Sequence, residues 1–66
     1  MKNYRGKEVK LVCSSTGVEM SVGSEVVSFR GEREVITSMN PPHKSSASGY
    51  VNNFYAGVYN LEFVEL

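Results

Sequence analysis

The chain has 66 residues, with seven lysines and arginines balanced by seven glutamates, no aspartate, one cysteine and one histidine. A domain of this size buries only about 60% of the surface its unfolded chain exposes. The single Cys13 rules out an internal disulfide and a zinc-thiolate cluster, so self-association is the remaining support and a homo-oligomer is the expected state. Zero net charge argues against coating DNA or RNA through phosphates, and no apolar run approaches the roughly 18 to 20 residues that cross a bilayer.

Met1 to Gly6 reads as a lead-in whose order is left open, and its polar sequence has no signal-peptide core, which with the free thiol points to the cytoplasm. Val9, Leu11 and Cys13 then alternate with polar residues as in a half-buried strand, although Val12 breaks the outer face. Ser14 to Gly17 is a turn cluster, and Val18, Met20 and Val22 alternate after it, so the two runs are expected to form a hairpin. A second turn at Gly23 to Glu25 leads into residues 26–30, with Val27 and Phe29 expected to face the core. Glu32 to Glu34 reads as a solvated, alternating-charge segment. The β-branched content of residues 35–39 favours a strand, which Pro41 and Pro42 end because neither can donate to a ladder.

Beyond the polar loop 43–49, Tyr50 and Val51 resume an extended pattern, Asn52 and Asn53 signal a turn, and Phe54 and Tyr55 follow. Residues 56–60 are too short for a stable helix and suit a single 3₁₀ turn. Alternation over Leu61 to Leu66 predicts a last strand, whose Glu62 and Glu65 oppose the basic head Lys2, Arg5, Lys7 and Lys10 in charge. The expected architecture is one all-β domain over residues 1–66, a small SH3-like barrel of five or six short antiparallel strands.

From Val22 onward the order Val22-Gly23, Val26-Val27, Phe29-Arg30-Gly31-Glu32, Pro41-Pro42-His43-Lys44 with Ser46 and Gly49, then Tyr55, Val58-Tyr59 and Leu61-Glu62-Phe63 resembles a group of small proteins encoded by tailed bacteriophages. The resemblance covers about two-thirds of the chain. It departs at Ala56-Gly57, where such sequences tend to carry proline and serine, and at Asn52-Asn53, which shorten the preceding strand. The resemblance implies a phage origin, hence the host cytoplasm, and a small β-rich fold. Small phage accessory proteins of this kind commonly act by binding: they inhibit a host enzyme, block a defence complex or sequester a defence signal.

Catalysis is not expected. Cys13 and His43 would be the only nucleophile and base of their kind, but a cysteine in an apolar strand is usually a small buried hydrophobe. None of the nine serines lies in a Gly-x-Ser-x-Gly elbow, and no aspartate is present to orient His43. With one histidine and one cysteine far apart, neither a metal nor a cofactor is expected. The candidate site is the loop His43, Lys44, Ser45, Ser46 and Ser48, whose small residues free backbone N–H groups and whose hydroxyls and ammonium suit phosphate. It lacks the Walker order, and a solvated surface loop is the plain alternative. Arg30 with Tyr50 or Tyr55 would hold a base and its phosphate, or equally a protein surface. Phe29, Phe54, Tyr59 and Phe63 are expected in the core. The first expectation is therefore capture of a nucleotide or another phosphate-bearing small ligand, such as a cyclic nucleotide immune signal. The second is a protein-interaction module against a host protein.

Overall fold

The computed structural model describes residues 1–66, and it is all-β apart from one 3₁₀ turn. The strands are β1 (Val9–Cys13), β2 (Glu19–Met20), β3 (Glu25–Val27), β4 (Arg33–Val35), β5 (Met39–Asn40), β6 (Tyr50–Val51), β7 (Phe54–Tyr55) and β8 (Leu61–Glu65), with the 3₁₀ turn Ala56–Tyr59 before the last. They form three antiparallel sheets in the orders β2-β1-β8, β3-β4 and β5-β6-β7. These sheets wrap one core rather than running as a single unbroken ladder. Its centre is Leu11, Val26, Ile36, Val51, Ala56, Tyr59 and Leu61, with Cys13, Met20, Met39, Val58 and Phe63 packed around it.

Eight short strands replace the expected five or six because polar side chains take over backbone partners where the long runs bend. Residues 35–39 do not make one strand. Asn52 Oδ1 accepts the N–H groups of Thr37 (2.7 Å) and Ser38 (3.2 Å) and the Thr37 hydroxyl (2.9 Å), while its amide donates to the Val35 carbonyl (3.0 Å). β4 therefore stops at Val35 and β5 starts at Met39. Asn52 does this from a left-handed conformation (φ 53°), which with Asn53 (φ 66°) makes the tight β6-β7 turn.

Two inward-facing assignments are corrected. Val27 and Phe29 point outward, and Val26 and Ser28 are buried. The buried Ser28 hydroxyl accepts the N–H groups of Arg30 and Glu32 (both 3.3 Å), which satisfies it in the inward position it shares with Val26 two residues before it. In the second hairpin strand only Met20 is half-buried, whereas Val18 and Val22 are exposed. Just two residues of that run join the sheet between the bends at Gly17 and Gly23, both at positive φ. Arg33 is solvated as expected and pairs with Val27 in β4, whereas Glu34, expected to be solvated too, is half-buried opposite Val26.

The lead-in folds back on the molecule. Asn3 Oδ1 accepts the N–H groups of Arg5 and Lys7, and Lys2 bridges Glu8 in a short antiparallel pair. Arg5 (3.4 Å) and the Asn3 amide (2.9 Å) both reach Glu65, so head and tail meet with opposite charge. At Gly49 (φ 88°), a β-carbon would stand 2.6 Å from the Phe63 ring and 2.9 Å from the Asn40 carbonyl oxygen, so a glycine is needed where β6 begins.

Asn52→Gly keeps the left-handed backbone but deletes the carboxamide. It is expected to lower unfolding free energy by about 1–3 kcal/mol in urea titration, whereas Asn53→Gly, whose side chain makes none of these bonds, stays within about 0.5 kcal/mol of the parent.

Candidate functional site

The loop singled out from sequence is exposed as expected. His43, Lys44, Ser45, Ser46 and Ser48 all face solvent, and a turn closed by the Ala47 N–H on the Lys44 carbonyl (3.0 Å) carries Ser45 and Ser46 at its tip. Its stem is tied to the lead-in by the Tyr4 N–H donating to the Pro42 carbonyl (3.0 Å). Tyr50 and Tyr55 are brought together as cross-strand partners of the β6-β7 hairpin, with ring centroids 5.2 Å apart and planes inclined by 25°. Tyr55 is 62% exposed and Tyr50 half-buried, so the stack presents an outer aromatic surface close in sequence to the loop.

Arg30 sits elsewhere in the fold's logic. It lies on the β3-β4 turn, its guanidinium carbon 5.4 Å from the centroid of the Phe29 ring. It lines a cleft of about 210 Å³ with Phe29, Glu32, Glu34, Phe54 and Val58, and no residue of the 43–48 loop contributes to that cleft. The structure thus divides the predicted site into an exposed loop, a tyrosine stack and an arginine cleft to which the loop contributes no residue.

The cleft contains the residues that sequence reasoning missed. Phe29 is 73% exposed and Phe54 56% exposed, correcting the expectation that both are core; Tyr59 is buried and Phe63 half-buried, as expected. Phe29 is not a loose loop residue. Its N–H donates to the Val58 carbonyl (2.8 Å), and the turn beneath it is closed by Ser28 N–H to Glu32 carbonyl (2.8 Å) and Gly31 N–H to Ser28 carbonyl (2.9 Å). Together with the Ser28 hydroxyl bonds, this fixes the backbone that displays the ring. On the cleft's other side the Tyr59 hydroxyl donates to Glu34 Oε1 (3.0 Å), and burial first, then this bond, raises the tyrosine pKa above its ordinary value. The available signal was Ser28 itself, a polar residue three positions before Gly31 whose hydroxyl can accept turn N–H groups, set against the more apolar Val27–Phe29 alternation.

A second hollow of about 310 Å³ is lined by Cys13, Met20, Val26, Tyr59 and Leu61 among others. Cys13 is half-buried rather than fully enclosed, and its sulfur lies 3.3 Å from the Ser15 hydroxyl. Hydrogen bonds from Ser15, then Thr16, stabilise the thiolate and lower the pKa to about 7.

No protein-family model, curated protein or solved structure matches the chain.

The Cys13 geometry has a direct chemical readout. The rate of alkylation by iodoacetamide should rise with pH through a midpoint near 7, and Ser15→Ala should move that midpoint upward, toward an ordinary thiol near about 8.5.

Proposed function

We propose that the chain is a small non-catalytic binding protein, a phage accessory factor that engages a host protein through the cleft around Phe29 and Arg30 and inhibits the enzyme or defence complex it binds. The observation that carries this reading is the 73% exposure of Phe29 on a turn fixed by a buried serine. An aromatic ring left in water gains nothing for folding, whereas one held rigidly beside a second exposed aromatic and an arginine resembles the anchor cluster of a protein interface. The likeness of residues 22–63 to small tailed-phage proteins supports the phage part of the reading.

Phe29→Ala and Phe54→Ala each remove an exposed ring, so both variants should melt close to the parent. In pull-downs from host lysate the parent should recover one protein in stoichiometric amount, and each variant should lose about tenfold or more in affinity for it, the scale of an anchor residue. Equal capture by the parent and both variants would exclude this face.

A second reading is favoured by the Tyr50–Tyr55 stack, close in sequence to the exposed serine-rich loop: capture of a nucleotide, with the base on the exposed tyrosine and Lys44, Ser45, Ser46 and Ser48 at phosphate. Under it, a linear or cyclic nucleotide raises the melting temperature, and Lys44→Ala and Ser46→Ala weaken the calorimetric affinity without loss of folding. No shift across a nucleotide panel, with a protein recovered from lysate, leaves the cleft reading alone.

A further inference from the structure

The cleft carries information about what it would hold. Its walls are apolar at Phe29, Phe54 and Val58, and its ionised groups are two carboxylates, Glu32 and Glu34, against the single guanidinium of Arg30. The ion pairs of the molecule are Met1 with Glu8, Arg5 with Glu65 and Arg33 with Glu25, so neither cleft carboxylate is neutralised by a cation of the chain. Glu34 is half-buried and has its Oε1 engaged by the Tyr59 hydroxyl, which orients the carboxylate. Arg30 rests near the Phe29 ring, showing that a cation is accommodated against this aromatic surface.

Resting on the protein-binding reading above, we infer that the cleft recognises a lysine or arginine side chain of the partner, flanked by apolar residues. The aromatic and valine walls suit the methylene stem of such a side chain, and Glu32 and Glu34 suit its charged head, the arrangement by which long cationic side chains cover apolar surface while keeping their charge solvated or paired. A purely apolar anchor would desolvate the Glu34 carboxylate without giving it a cation. An acidic anchor would meet two carboxylates for one guanidinium, an opposition that suppresses the wrong partner.

The test is selection of a random heptapeptide display library on the full-length protein, with counter-selection on the Phe29→Ala, Phe54→Ala double variant to keep only cleft-dependent binders. The expected outcome is one position dominated by lysine or arginine with apolar neighbours. For a selected peptide, replacing that residue with norleucine, which keeps the stem and loses the charge, should weaken binding about fivefold or more, as expected for a partly screened ion pair. Glu32→Gln with Glu34→Gln should bring the two peptides to nearly equal affinity, and glutamine at position 34 still offers Tyr59 an acceptor. Cleft-dependent peptides with an acidic or uncharged anchor would overturn the inference while leaving the protein-binding reading in place. If no selected peptide depends on Phe29 and Phe54, that reading falls, and the inference with it.

Discussion

Because Ser28 turns inward to accept the N–H groups of Arg30 and Glu32, the pleat has one consistent phase: Val26 and Ser28 inside, Val27 and Phe29 outside. A buried hydroxyl without partners would cost on the order of 1–3 kcal/mol, and here its two acceptor bonds also close the turn that displays Phe29. Register and cleft therefore have the same cause. Shifting β3 by one residue would exchange the two faces, burying Phe29 and exposing Val26.

Asn52 plays the corresponding part in the other half of the molecule. Its carboxamide joins the bend between β4 and β5 to the turn between β6 and β7, and the same turn sets Tyr50 opposite Tyr55. In a chain with seven residues at the centre of its core, such polar cross-links replace ladder bonds that two-residue strands cannot supply. The termini are joined by a different means. Arg5 and Asn3 share Glu65, and the Leu66 N–H donates to the Glu8 carbonyl (3.0 Å), so the β1-β8 pairing runs one residue further to Glu8, which Lys2 bridges in turn.

How much of this is legible without coordinates depends on whether the signal is local. Pro41-Pro42 ending β5, Asn52-Asn53 as a turn, the 3₁₀ turn after Tyr55 and the existence of a last strand follow from adjacent residues, and all are present in the structure, although burial along β8 alternates only as far as Phe63. Val26-Val27-Ser28-Phe29 is different: the more apolar alternation, Val27 with Phe29, is the exposed one, and the buried one carries Ser28, whose hydrogen bonds to the turn do not show in the pattern. The division of residues 35–39 into two strands was not legible either, because its cause, Asn52, acts from 15 residues away in sequence. For the candidate site the same rule holds. The exposure of His43, Lys44 and the serines follows from their own polarity, and the Tyr50–Tyr55 contact follows from hairpin register, but the exposure of Phe29 and Phe54 runs against the preference of large aromatics for a small core.

The two exposed features also differ in what binding would demand of them. The loop at 43–48 has a single backbone hydrogen bond within it, Ala47 to Lys44, so a ligand there would have to order side chains that now face solvent on their own. The Phe29 turn is already closed by bonds within it and by a bond to Val58, and the rings on either side of the cleft sit on different elements of one core. A partner binding there meets a surface whose backbone entropy was lost on folding, so more of its contact energy remains as affinity. That difference in preorganisation, more than the composition of either patch, is why the cleft is the stronger candidate.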